Sequence, residues 1–216
     1  MLIDKGDHRF IHPWGMPIYQ GEVDVDFFRV QAERSREVGT RDSGSLAGNI
    51  KDQFMSSVGS EEEIVRRLTP HIRNYLKHEF ERVDQLQSFV KSELRHPVLS
   101  AENIDFNLGN GPWYNFMRKG EFNPLHAHTG NISGIIMIKV PTEIADEYYT
   151  HPIDTNLRCP GYVEWVSDSG SHKVIPKEGD IYLFDARLRH IVYPFESDVE
   201  RITSSFNVFT SQLWTN

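Results

Sequence analysis

The 216-residue chain has one cysteine, Cys159, so an internal disulfide and a cysteine-rich metal knuckle are both excluded. That scarcity suits a reducing compartment, and a cytoplasmic location is expected. Cys159 stands in Leu157-Arg158-Cys159-Pro160-Gly161, a turn-like stretch without an activating neighbour, and reads as a bystander thiol. No apolar run approaches the roughly 20 residues of a membrane span. The opening residues, Met1-Leu2-Ile3-Asp4-Lys5-Gly6, lack the basic and apolar regions of a secretory leader. Positive charge is also short. Lys and Arg number 23 against 31 Asp and Glu, a net −8, which is the wrong sign for nucleic acid or an anionic membrane. Neither an internal repeat nor a low-complexity tract is present. What remains is ordinary globular composition, 38% hydrophobic and 25% charged, at a length that one domain over 1–216 accommodates.

Two textures divide the chain: a helical part over about 22–97 and a β-rich core over about 100–212. Residues 1–22 read as an irregular lead-in with one short strand at 16–19. Residues 24–38 predict a helix that Asp24 or Asp26 caps, with a face of Phe27, Phe28, Val30, Gln31 and Ala32, and with Gly39 as its stop. The Gly- and Ser-rich stretch 40–59 reads as a loop with a helical turn. Ser60-Glu61-Glu62-Glu63 is a capping box, and Ile64, Leu68, Ile72, Leu76 and Phe80 then recur every four residues, the stripe of an amphipathic helix. Pro70 is expected to kink that helix or to restart it with Thr69 as cap, and a further helix is expected at 84–94. Beyond 100, short segments at 113–117, 132–140, 162–166, 180–184, 191–193 and 202–210 are rich in β-branched and aromatic residues. Strands without intervening helices predict an α+β fold whose core is a mainly antiparallel sandwich or barrel, such as a jelly roll, braced by the N-terminal helices.

The chemistry gathers at Asn123-Pro124-Leu125-His126-Ala127-His128. Side chains on an extended segment alternate, so His126 and His128 point to one side and can close on one transition-metal ion if a third ligand arrives. His190 is the nominee, near the start of a strand that Pro194 ends. Eleven positions on, Arg201 and Thr203 share a strand face, and a guanidinium fork beside a hydroxyl makes a clamp for a carboxylate. Of the other histidines, 8 and 12 lack an evident acid partner, 71 and 78 read as solvated on the long helix, and 96, 151 and 172 each neighbour a loop or turn signal. The charged face of 61–82 reads as a solvated helix face that could also serve as the contact of a homodimer.

The stretches Trp113-Tyr114-Asn115-Phe116-Met117-Arg118-Lys119-Gly120, His126-Ala127-His128, Ile132-Ser133-Gly134, Pro176-Lys177-Glu178-Gly179-Asp180, His190 and Arg201-Ile202-Thr203-Ser204-Ser205-Phe206-Asn207 together resemble the 2-oxoglutarate-Fe(II) oxygenase family. The resemblance covers about 110–210 and is closest to a branch with His-x-His where relatives carry His-x-Asp. It implies a double-stranded β-helix (jelly roll), one Fe(II), and decarboxylation of 2-oxoglutarate to succinate and CO2 coupled to oxidation of a substrate C–H bond. It further implies that His126 and His190 are metal ligands, that Arg201 grips the far carboxylate of 2-oxoglutarate with Thr203 beside it, and that Tyr114 or Asn115 adds a cosubstrate contact. His128 stands where most relatives supply an acid, so a three-histidine site is expected, with Asp185 or Glu121 as lower-ranked oxygen ligands. Two other readings stay open. One is a cupin-like metal enzyme that does not use 2-oxoglutarate; the other is a non-catalytic jelly-roll binding or structural module. The primary substrate, a small molecule or a protein side chain, is not encoded in any motif. Its specificity is expected in loops 40–59 and 142–160, the second read as a lid through Tyr148, Tyr149 and His151.

Overall fold

The computed structural model describes residues 3–4, 8–42, 44, 47–56, 59, 61–87, 104–109, 111–150 and 159–210. In chain order its elements are β1 (Ile3–Asp4), β2 (His8–Ile11), β3 (Ile18–Glu22), α1 (Val25–Val38), β4 (Asp52–Met55), α2 (Glu61–Gln87), β5 (Phe106–Asn107), β6 (Trp113–Met117), β7 (Asn123–His126), β8 (Ile132–Lys139), α3 (Thr142–Thr150), β9 (Val163–Ser167), β10 (Gly170–Val174), β11 (Asp180–Asp185), β12 (Arg189–Val192) and β13 (Arg201–Thr210). The larger sheet runs β1-β2-β3-β11-β8-β13-β6-β4, with β5 also on β13; the smaller runs β10-β9-β12-β7. The pairings along both sheets are antiparallel.

Strand alternation splits the larger sheet between two cores. On β8, Ile132, Ile136 and Ile138 join Ile181 and Leu183 of β11 and Phe206 and Val208 of β13 under the helices. The intervening Ile135 and Met137, with Tyr182 and Phe184, face the smaller sheet and pack with Val163, Trp165 and Val192. Such two-sided burial explains why these strands read as continuous apolar runs. Gly134 is required within β8, since a Cβ there would collide with the Phe206 ring.

Helix α1 starts where Asp24 accepts the Asp26 N–H at 3.2 Å, and Gly39 closes it onto the Ser35 carbonyl at 2.8 Å. Its Phe28 and Ala32 face the sheet. Helix α2 runs through Pro70 without restarting. Proline costs an interior helix about 3 kcal/mol. Ile64, Leu68, Ile72 and Leu76 are fully buried on one stripe, and at about 2 kcal/mol each they outweigh that cost. The Thr69 hydroxyl donates to the Val65 carbonyl at 2.7 Å beside the proline. The helix continues to Gln87, whereas the rest of the expected 84–94 helix lies outside the described residues.

Several expectations are corrected. The first 22 residues hold three strands rather than one, and 40–59 contains β4, so the N-terminal part extends the sheet as well as bracing it. Residues 142–150 form a helix rather than a loop. Strand β10 is too polar and exposed to show as a strand in the sequence. Strand β7 carries Pro124, which an edge position tolerates.

Candidate metal centre

His126, the last residue of β7, stands directly across from His190 in β12. His128 follows, and its backbone N–H donates to Ala186 at 2.8 Å, which ties the segment to the turn that leads into β12. Ring centroids lie 4.3 Å apart for His126 and His190, 4.8 Å for His126 and His128, and 5.0 Å for His128 and His190. One ring nitrogen from each comes within 4.8 Å of the others.

The backbone fixes two of the tautomers. The His126 Nδ1 lies 2.6 Å from the Pro124 carbonyl, and the His190 Nδ1 lies 3.2 Å from that of Leu188. A carbonyl only accepts, so each Nδ1 carries the proton and leaves an Nε2 lone pair to bind a metal. Burial holds all three rings below the usual histidine pKa. His190 is pushed down to about 3 by burial, with His126 and His128 adding to it. His128 is at about 4 by burial with His126 adding to it, and His126 is lowered by burial. Three neutral imidazoles with free lone pairs fit a transition-metal ion. The two acids considered as alternative ligands are engaged elsewhere. Asp185 holds Arg187 at 2.6 Å, and Glu121 accepts the backbone N–H groups of Lys51 at 3.0 Å and Arg118 at 2.8 Å.

The cluster opens into a cavity of about 410 Å³ that Asn115, Arg201 and Thr203 also line. Arg201 is 2% exposed and forms no ion pair among the described residues. Its Nη1 donates to the Gly161 carbonyl at 2.6 Å, its Nε has no partner, and burial pushes its pKa down to about 10. A desolvated cation without an acid is a costly arrangement that an incoming carboxylate would relieve.

Tyr114 is corrected as a cosubstrate contact. Alternation along β6 sends Trp113, Asn115 and Met117 to the cavity, and Tyr114 and Phe116 into the core beneath the helices. The Tyr114 side chain is fully buried there, and burial raises its pKa. Gln53 of β4 is among the cavity residues that escaped the sequence reading: Asp52-Gln53-Phe54-Met55 shows no polar–apolar alternation that would mark it.

His8, His12, His71 and His78 are packed together rather than left in solvent, because the hairpin of β2 and β3 lies on α2 and His8 stacks on Tyr19. His12 and His78 meet at 3.0 Å between their Nε2 atoms, Phe10 stacks on His78 at 3.7 Å, and His71 meets the Tyr19 hydroxyl at 2.8 Å. His172 stacks on Trp165, while His96 and His151 lie outside the described residues. Helix α3 is pinned by Glu147, which accepts the backbone N–H groups of Glu196 and Ser197. Among the described residues, none from 142 to 150 lines the cavity. Cys159 is buried. No helix among the described residues is long and apolar enough to cross a membrane.

Fold and site together define an α+β protein of antiparallel sheets with a partly buried three-imidazole cluster at the mouth of a pocket. Residues 111–207, a stretch that contains His126, His128, His190 and Arg201, match the family model described as "Putative 2OG-Fe(II) oxygenase". No curated protein sequence matches the chain. Among solved structures it is similar to a Pseudomonas putida prolyl-4-hydroxylase at 15% identity, over 89% of this chain and 93% of that one, with a TM-score of 0.46. A Trichoplax adhaerens prolyl hydroxylase, in complex with a hypoxia inducible factor oxygen degradation domain peptide fragment, matches at 13% identity over 95% and 84%, with a TM-score of 0.47. A 2OG-Fe(II) oxygenase family oxidoreductase from Burkholderia pseudomallei matches at 12% over 94% and 72%, with a TM-score of 0.42.

Proposed function

We propose that the protein is a mononuclear Fe(II), 2-oxoglutarate-dependent dioxygenase acting on a small molecule or a protein side chain, and that its two sheets are those of a double-stranded β-helix. The observation that carries this reading is a buried guanidinium without an acid in the same cavity as three metal-ready imidazoles. His126, His128 and His190 would hold Fe(II), and the bound iron with 2-oxoglutarate and oxygen would supply oxidative decarboxylation to succinate and CO2 coupled to oxidation of the substrate. Three neutral ligands leave the ion its full +2, which a 2-oxoglutarate dianion balances. Arg201 binds the far carboxylate, with Thr203 donating beside it. Asn115 orients that hydroxyl through a contact of 3.2 Å. The apolar side chains of Met117 and Ile135 in the wall of the cavity limit water there.

The test adds Fe(II) and then 2-oxoglutarate anaerobically, and oxygen afterwards. A visible metal-to-ligand charge-transfer band, a rise in thermal stability and then succinate are expected. Absence of both the band and the stabilisation overturns the reading. His128 in place of an acid favours a second one, a cupin-like metal enzyme in which Arg201 binds the substrate's own carboxylate. Under it, Arg201→Ala leaves 2-oxoglutarate affinity unchanged.

A further inference from the structure

We propose that Gln53 is a positioning residue for the far carboxylate of the 2-oxo acid, acting through Asn115 on the hydroxyls of Thr203 and Ser205. The proposal rests on the dioxygenase reading above. Gln53 comes from β4, outside the stretch 111–207 that matches the family. It is 1% exposed, lies across from Asn115 on β6, and Asn115 in turn lies across from Thr203 on β13. The three stand in one row on one face of the sheet, beside Arg201.

The contacts run in one direction. Gln53 Nε2 donates to Asn115 Oδ1 at 2.7 Å, and Asn115 Nδ2 donates to Thr203 Oγ1 at 3.2 Å and Ser205 Oγ at 3.3 Å. A hydroxyl that accepts keeps its own proton to give. Both hydroxyls belong to residues that line the cavity, so both protons are available to an anion seated against Arg201. With the amides turned over, Asn115 Oδ1 would consume those protons, and the anion would face lone pairs. Gln53 stands at the donor end of this row, and its own Oε1 is buried without a partner. On one side the backbone lies close: a Cβ at Gly48 would come within 3.1 Å of Gln53 Nε2 and would collide with Asn123 Oδ1.

The row recognises the carboxylate that distinguishes 2-oxoglutarate from a monoacid, so the experiment compares 2-oxoglutarate with 2-oxobutyrate. The second probe keeps the 2-oxo acid end and lacks the far carboxylate. Binding is measured anaerobically to the protein loaded with Co(II), by titration calorimetry, for the wild type, Gln53→Leu and Gln53→Glu. Gln53→Glu adds a negative charge and can only accept, which reverses the row. It is expected to weaken 2-oxoglutarate by about 100-fold and 2-oxobutyrate by about threefold or less; Gln53→Leu, which only releases Asn115, is expected to weaken 2-oxoglutarate by about tenfold. Co(II) affinity stays near wild type. Equal losses for the two acids would mean a general packing role and overturn the proposal, as would wild-type 2-oxoglutarate affinity in both variants. A wild type that binds no 2-oxoglutarate removes the dioxygenase reading and this one together. Ser205→Ala removes one terminal proton without touching β4, and should lower 2-oxoglutarate affinity by about fivefold; no change in that variant counts against the row even if Gln53→Glu fails to fold.

Discussion

Replacing Arg201 with methionine should make the metal-free protein more stable and the loaded protein unable to bind 2-oxoglutarate. The opposite signs come from one side chain. Burial alone moves its pKa from 12.5 to about 10. At 1.36 kcal/mol per unit, the cation is about 3 kcal/mol less favourable inside than in the unfolded chain. The 2.6 Å bond to the Gly161 carbonyl returns about 2 kcal/mol, since a charged donor is involved. Methionine keeps the aliphatic bulk and removes the charge, so a net gain of about 1 kcal/mol is expected, a melting shift of about 2–4 °C at this chain length. The same exchange strips the dianion of its charged partner. Losing one member of a buried charge pair costs about 2–5 kcal/mol, or about 30- to 5,000-fold in affinity. Chemical denaturation of the metal-free protein reads the first number, and calorimetry with the Co(II) protein reads the second. A variant destabilised by more than about 2 kcal/mol with its 2-oxoglutarate affinity intact would refute the reasoning. Arg201 would then be a structural latch on Gly161.

The remaining predictions concern the same cavity. Without metal, stability should fall with acid because half-buried His128 and buried His190 hold pKa values of about 4 and 3, while the unfolded chain titrates near 6.5. A lowered folded-state pKa means the unfolded chain takes up protons first, so stability is full above about pH 7 and is lost as pH drops; at about pH 5.5 each ring costs about 1.4 kcal/mol. Urea titrations at pH 7.5 and 5.5 should therefore differ by about 3 kcal/mol, and a flat profile would contradict the burial argument. Gly48→Ala should weaken 2-oxoglutarate binding about tenfold through pressure on Asn123 and Gln53, and the double variant with Asn123→Ala should recover most of it, as calorimetry will report. Tyr114→Phe should leave 2-oxoglutarate affinity within about twofold of wild type although the residue adjoins Asn115, because the side chain faces the helices. A large loss would place the tyrosine in the cavity.

Much of the site could be read because its residues obey short-range rules. His126 and His128, and Arg201 and Thr203, each pair at i and i+2, and strand alternation needs no knowledge of the rest of the chain. His190 was reachable because a turn and a strand bracket it. Tyr114 and Asn115 could not be separated, since deciding which of two neighbours faces inward requires the register of β6 against β13, set by pairings such as Thr203 with Asn115. Gln53 was out of reach for a stronger reason. It arrives from a strand in a Gly- and Ser-rich stretch, and its contact with Asn115 spans 62 positions. The hairpin at the N-terminus was missed likewise: His71 and His78 look solvated until β2 and β3, with His8 and His12, are laid on α2, and nothing local announces that contact.

The same alternation explains how the sheet carries an unfavourable site without failing. On β13, Ile202, Phe206 and Val208 go under the helices while Arg201, Thr203, Ser205 and Asn207 go to the cavity; on β6, Tyr114 and Phe116 oppose Trp113, Asn115 and Met117. Each strand is anchored by one face and exposes chemistry on the other. Three buried apolar side chains on β13 contribute about 6 kcal/mol, more than the roughly 3 kcal/mol that the uncompensated guanidinium costs. The Arg201 charge is tolerable because it shares a strand with that apolar row, which makes an acidic ligand the natural completion of the fold rather than a condition for it.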